Sequence, residues 1–541
     1  MRKRKIHRNP LENILRFLIS SFCIFQLVAC ANFNAPFRQL DPNATACQLY
    51  QTGAGSPVFQ EAQHRHPGAF ESGVVGAAAG CYQERHTIAL AESEQTISFQ
   101  LNFLEFSENG SLREPKQWRA IQDALSDFPG PKYVVVFVHG WRHDASIDDS
   151  NVRAFRTMVA LSARYLHERE FLFGQNARVF GIYVGWSGNA WRWHWTDELT
   201  VPTLFTFKSR KANSEFIADK VAAKLLDIDA LLHDDKISPD LNRLLISGHS
   251  FGGNLLITGL TPVYIDALTK SKQSEPIRGV GDLTVLFNPA SDFSNWEILQ
   301  KKENEIANFQ PFVSNDNAYF SPRQKPILMS LTATCDWGIP NSVHPRPGEK
   351  DGVFDCDWAT GWAFPAAQRI LLRTQFGQDH AIGHVRAFVA RNNSIESQPY
   401  GTTHELELNH PAAVTSYSLV ASSPSKVLCP IADGWLRQAE NTSKAPYERQ
   451  WDTNVAGPPG AQLQIRHGTY RELFRGRQSD GCKGESGTCN DKFYPALGPA
   501  HDPFWNVASH ESAIPDHDTI FTHPVWCMVN QMVLDDVVKQ K

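Results

Sequence analysis

The chain has 541 residues, a net charge of −5 and a hydrophobic fraction of 42%. It is longer than one minimal domain and apolar enough to bury a sizeable core. An acidic balance without clustered Lys and Arg is a poor match for nucleic acid, whose binding rests on neutralising phosphates. The sequence has no Walker A loop, no G-x-G-x-x-G after a strand and no H-E-x-x-H, so no metal, nucleotide or other cofactor is expected.

Residues 1–29 read as a processing signal. Arg2, Lys3, Arg4, Lys5 and Arg8 make a basic start, a mostly apolar stretch runs from Phe17 to Ala29, and it stops at Leu27-Val28-Ala29-Cys30. A basic start, a short apolar core and small residues before a cut define a secretory signal. The alternative is an uncleaved anchor, for which the apolar stretch is short beside the ~20 residues of a membrane span. With a cysteine at the cut, the segment resembles a bacterial lipoprotein signal. That resemblance implies lipidation of Cys30 and, with Ala31 following it, a place in the bacterial cell envelope at the outer membrane, on its periplasmic or surface side. Removing residues 1–29, which carry six basic side chains and one acid, takes the net charge from −5 to −10.

Residues 30–94 are expected to be a tether and an N-terminal extension. Beyond Cys23 and Cys30 eight cysteines remain, and an even set in an exported chain reads as a disulfide framework whose pairing the sequence leaves open. One consistent set joins Cys47 with Cys81, Cys335 with Cys356, Cys482 with Cys489, and Cys429 with Cys527.

The segment 96–104 alternates apolar and polar side chains and is expected as an antiparallel strand, with the main fold beginning near 95. Lys132-Tyr133-Val134-Val135-Val136-Phe137-Val138 is a β-branched and aromatic run, the pattern of a strand buried on both faces, and it ends in His139-Gly140-Trp141. A helix is expected over 151–165, a strand over 178–186 and a helix over 214–232. Past the second strand, Trp186, Trp191, Trp193 and Trp195 crowd into ten residues. Ligand sites in open α/β sheets lie beyond the carboxyl ends of strands, so Trp186 and Trp191 are candidate pocket walls, the other reading being an aromatic cluster that packs a long loop. Further strands are expected over 282–288 and 326–333. This alternation predicts a mostly parallel sheet with helices on both faces.

Between the helix expected over 214–232 and the strand expected over 282–288 lies Gly248-His249-Ser250-Phe251-Gly252. The apolar run 242–247 precedes it and a helical pattern follows from Gly253. Strand, G-x-S-x-G and helix together form the context of a nucleophile elbow, a tight turn with small flanking residues that exposes the serine hydroxyl. Ser250 is therefore the candidate nucleophile.

The elbow, with the HG pair at the end of an earlier strand, resembles the α/β-hydrolase family over roughly residues 95–535. The resemblance implies an oxyanion hole from the backbone N–H groups of Trp141 and Phe251. It also implies a catalytic histidine between the last strand, 503–508, and the closing helix, 524–534, which favours His517. The acid then lies just past the strand 326–333. Asp336 is preferred. Asp357 is the alternative, because Cys356-Asp357-Trp358 repeats Cys335-Asp336-Trp337, and a Cys335–Cys356 bond would bring the two carboxylates together. The 181 positions from Asp336 to His517 exceed what one helix and a connection need. Residues 385–500 are accordingly expected to form an inserted, loop-rich, disulfide-containing subdomain, with 95–384 and 501–541 making the hydrolase core.

What this implies is a serine hydrolase that cleaves a carboxylic ester, small-molecule or lipid, through an acyl-enzyme on Ser250. Lipase, phospholipase, peptidase and acyltransferase activities belong to the same fold, since fold does not choose the reaction. The rival from another class is a non-catalytic surface protein that binds through a hydrolase scaffold. Oligomeric state is left open.

Overall fold

In the computed structural model the described residues are 35–41, 43, 47, 80–89, 96–147, 149–167, 170–174, 176–189, 206–234, 238–308, 319–321, 324–333, 381–382, 386–391, 394–399, 404–409, 448–452, 462–467, 502–509, 514 and 517–534, apart from position 42. In chain order the elements are β1 (Gln83–Ala89), β2 (Thr96–Glu105), α1 (Pro115–Asp127), β3 (Lys132–Val138), α2 (Ser150–His167), α3 (Glu170–Phe173), β4 (Arg178–Gly185), α4 (Phe207–Phe216) and α5 (Ala218–His233). They continue as β5 (Arg243–His249), α6 (Phe251–Lys270), β6 (Leu283–Phe287), α7 (Phe293–Ala307), β7 (Leu328–Ala333), β8 (Arg386–Arg391), β9 (Ser394–Pro399), β10 (His404–Asn409), β11 (Glu448–Asp452), β12 (Gln462–His467), β13 (Phe504–Ser509) and α8 (His523–Leu534).

One sheet organises the molecule, in the order β1-β2-β4-β3-β5-β6-β7-β13-β10-β12-β11. β1 is antiparallel to β2, and every pairing from β2 through β13 to β10 is parallel. β12 and β11 then extend the edge antiparallel, while β8 and β9 form a separate hairpin. Three strands from the expected 385–500 insertion thus continue the main sheet.

The burial explains the β-branched runs. All seven residues of β3 are buried. Tyr133, Val135 and Phe137 enter one apolar layer, with α2 and α8; Val134, Val136 and Val138 enter the other, with α1, α5, α6 and α7. A strand covered on both faces gains from apolar residues at every position. The expected helix over 214–232 is two helices, α4 and α5, that meet at Ile217, which caps one and opens the other. Asn254 Nδ2 in α6 donates to Ser214 Oγ at 2.9 Å and ties α4 down.

The sheet starts at Gln83, ahead of the expected 95, and its first strand hides its role in its sequence. Glu84 and His86 of β1 point inward and are 1% exposed. Arg156 of α2 donates to Glu84 from Nε and Nη2 at 2.9 and 3.0 Å, Arg38 Nη1 donates at 2.9 Å, and His86 Nε2 lies 2.9 Å away. The Cys47–Cys81 disulfide closes just before this strand. The other three proposed cysteine pairs, and Cys30 with the signal segment, lie outside the described residues or side chains. Among the described residues no helix is long and apolar enough to cross a membrane.

Candidate active site

The carboxyl ends of β3, β5, β6 and β7 converge on Ser250. Ser250 has φ 54° and ψ −119°, a conformation that costs about 1–3 kcal/mol for a residue with a side chain and persists only when its surroundings hold it. Here they do. Its N–H donates to the Phe287 carbonyl at 3.1 Å, and its own carbonyl accepts from Asn254 and Ala290, each at 3.0 Å. Gly252 allows the turn to press against β3, because a Cβ there would run into the Val138 carbonyl and come within 2.6 Å of the His139 carbonyl.

His517 enters from the loop between β13 and α8. Its Nε2 lies 3.0 Å from Ser250 Oγ, within hydrogen-bond distance. Its backbone carbonyl accepts from His249 Nε2 at 2.8 Å and from Asn288 Nδ2 at 3.0 Å. Burial first, then the charge of His517, pushes His249 down to about 3, so it stays neutral. Desolvation opposes ionisation of Asp518, yet the neighbouring His517 and Arg142 outweigh it and hold that carboxyl below its usual range.

The HG loop is braced from behind. His139 Nε2 accepts from the Trp186 N–H at 3.0 Å, which leaves Nδ1 to donate to the Gly140 carbonyl at 2.9 Å. Trp186 Nε1 donates to the His139 carbonyl at 2.8 Å. The imidazole stacks between Tyr183 and Trp186, with centroids 5.6 Å from each, and burial drives its pKa down to about 3. Trp186 is 1% exposed, its ring packed behind the HG loop. Asp149 fastens the far end of the loop. Oδ2 lies 3.1 Å from His143 Nδ1 and accepts from the Asp144 N–H, while Oδ1 caps α2 by accepting from Asn151 and Val152. Burial alone would lower the His143 pKa, but Asp149 outweighs it and raises it.

The loop comes close to the elbow, since a Cβ on Gly140 would sit 2.9 Å from Ser250 Cβ and 3.1 Å from His249 Nδ1. Among the described residues neither the Trp141 nor the Phe251 backbone N–H has an acceptor, which suits donors kept for a developing oxyanion. The Trp141 ring forms an aromatic cluster with Phe207 and Phe251, at centroid distances of 5.8 and 6.1 Å, and its Nε1 donates to Thr206 Oγ1 at 3.2 Å.

Of the residues expected from sequence, the structure gathers Ser250, His517, Trp141 and Phe251 at one point, with Trp186 behind them. Asp336, Asp357 and Trp191 lie outside the described residues; β7 ends at Ala333. Sequence reasoning missed His249, Asn288 and Phe207. His249 stood in plain view inside the pentapeptide, and Asn288 directly follows a parallel strand at its carboxyl end. Among the described residues His249, His517 and Asp518 are the one group whose metal-ligand atoms lie within 4.8 Å of one another. The first two are engaged with the His517 carbonyl and with Ser250, and Asp518 faces Arg142 Nη2 at 3.7 Å.

No family model matches the chain, and no curated protein matches it. Among solved structures it is similar to the phospholipase PlaB from Legionella pneumophila, at 11% identity over 62% of this chain and 80% of that one, with a TM-score of 0.18. It is also similar to the same phospholipase in complex with thio-NAD, at 10% identity over 70% of this chain and 93% of that one, with a TM-score of 0.19.

Proposed function

We propose that the protein is a serine hydrolase of the α/β-hydrolase type that cleaves a carboxylic ester through an acyl-enzyme on Ser250. The observation that carries this is the 3.0 Å approach of His517 Nε2 to Ser250 Oγ at a strained strand-to-helix turn. His517 takes the Ser250 proton as Oγ bonds to the ester carbonyl carbon. The resulting oxyanion accepts from the Trp141 and Phe251 N–H groups. Collapse breaks the ester C–O bond and His517 returns its proton to the leaving alkoxide. Water then repeats the sequence, giving a proton to His517 as its oxygen bonds to the acyl carbon; the acyl C–Oγ bond breaks, His517 returns the proton to Ser250 Oγ, and the carboxylic acid leaves.

Asp336 is the preferred acid and Asp357 the alternative; either would hold the imidazole tautomer and stabilise the imidazolium. The half-buried Trp141 ring beside the oxyanion donors favours an apolar acyl group, from a small-molecule or lipid ester. A lipid anchor at Cys30, with a place in the bacterial cell envelope, belongs to the same proposal and rests on the Leu27-Val28-Ala29-Cys30 sequence. A panel of p-nitrophenyl esters of increasing chain length tests the reading. Hydrolysis by the parent chain that is lost in Ser250→Ala supports it, and equal hydrolysis by both refutes it. A folded parent chain inert to every ester and to serine-directed probes would favour the binding-scaffold alternative.

A further inference from the structure

His517 belongs to no strand or helix, so something else must hold its ring against Ser250. Its backbone carbonyl is where two side chains from neighbouring strand ends meet. His249, the last residue of β5 and the neighbour of the nucleophile, donates from Nε2 at 2.8 Å; Asn288, directly after β6, donates from Nδ2 at 3.0 Å.

Each donor is itself fixed. His249 is 2% exposed, and its Nδ1 has no hydrogen-bond partner among the described residues and faces Gly140. A carbonyl partner requires the proton to sit on Nε2. Asn288 has φ 42°, a left-handed conformation that asparagine tolerates better than most residues. Its N–H donates to the Leu331 carbonyl at 2.9 Å, and its Oδ1 accepts from the Ala333 N–H at 2.8 Å. One amide therefore accepts from the last residue of β7 and donates to the base-bearing loop. Meanwhile the preceding residue, Phe287, accepts from the Ser250 N–H. The nucleophile, the end of β7 and the base are thus tied within one short hydrogen-bonded chain.

We infer that His249 and Asn288 form a two-donor clamp on the His517 carbonyl, and that both are positioning residues that keep the general base in register with Ser250. This rests on the serine-hydrolase reading above. The clamp touches neither substrate nor the reacting atoms. It acts by limiting where the His517 backbone can sit, which leaves the ring only its own side-chain torsions.

The test is the rate of Ser250 modification by a fluorophosphonate probe, resolved into kinact and KI, with folding checked by thermal melting. His249→Phe keeps a ring and removes the donor, while His249→Gln keeps an N–H at similar reach. Asn288→Asp keeps Oδ1, the size and the tolerance of positive φ but removes the donor. His249→Phe and Asn288→Asp should each lower kinact roughly 10- to 100-fold, the scale of a displaced catalytic group. KI should stay within about twofold, because ground-state binding is untouched. His249→Gln should recover most of the loss, and the double variant should lose less than the product of the singles, because both donors share one acceptor. Unchanged kinact in folded His249→Phe or Asn288→Asp, or equal loss in His249→Gln and His249→Phe, overturns the clamp. Undiminished labelling of Ser250→Ala would instead overturn the serine reading on which it rests.

Discussion

Ser250 Oγ and His517 Nε2 lie 3.0 Å apart although 267 positions separate them in the chain. The contact joins a turn held in a strained conformation to a loop held by its own backbone carbonyl. Both restraints come from the carboxyl ends of the same parallel strands, so damage to either partner's support should appear in the chemistry before it appears in the fold.

The HG loop offers the sharpest steric test. Gly140→Ala puts a methyl group 2.9 Å from Ser250 Cβ and 3.1 Å from His249 Nδ1, so the HG loop must retreat from the elbow and carry the Trp141 N–H with it. Loss of one oxyanion donor costs about 10²–10³ in turnover. Turnover of an ester by Gly140→Ala should fall on that scale, with KM and the melting temperature changing far less.

The acid is decided by comparing two substitutions. In one serine protease the Asp-to-Asn change at this role costs ~10⁴-fold. Asp336→Asn should cut turnover by orders of magnitude and Asp357→Asn far less. The reverse pattern would assign the role to Asp357, and two modest losses would place the acid elsewhere.

Glu84 should set acid stability. Burial opposes its ionisation, but Arg156, His86 and Arg38 outweigh that and hold its carboxyl well below the usual 4.5. Burial also weakens the hold of Arg38 on its proton, yet an arginine remains charged in a protein. A group whose folded pKa is depressed contributes stability that is present in full above its unfolded pKa and lost as pH falls towards the folded one. Glu84→Gln should therefore destabilise the protein at neutral pH by about 3–5 kcal/mol, the cost of stranding buried partner charges. The variant should also lose less than the parent on acidification in urea melts.

Glu303 and Asp502 form the opposite case. Both are 1% exposed, and among the described residues Glu303 Oε1 has no hydrogen-bond partner. Burial pushes both pKa values well above the usual range, and for Glu303 the charge of Asp502 adds to it. Here the fold binds protons more tightly than the unfolded chain, so stability should fall as pH rises above the ordinary carboxylate range. Asp502→Asn should flatten that fall and raise stability at neutral and alkaline pH, as read by chemical denaturation.

These sites also mark what the sequence discloses. β3 and β5 were legible because a strand buried on both faces is apolar at every position, and the elbow because two glycines bracket its serine. β1 was not, because its inward Glu84 is satisfied by Arg38 and Arg156, 46 and 72 positions away. The clamp on His517 was equally hidden. It is built from side chain to backbone bonds across 268 and 229 positions, which leave no local periodicity. Trp186 was legible as an aromatic beside the site, but its packing onto His139 depends on a hydrogen bond to a carbonyl in another strand's loop.

The central claim is that Ser250 is an activated nucleophile, and covalent labelling tests it most directly. The intact chain is treated with a fluorophosphonate probe, weighed, and digested to locate the adduct. The account predicts one adduct, on Ser250, absent from Ser250→Ala and formed far more slowly in His517→Ala. An adduct on a different serine, undiminished labelling of Ser250→Ala, or no reaction in the folded parent chain would contradict it.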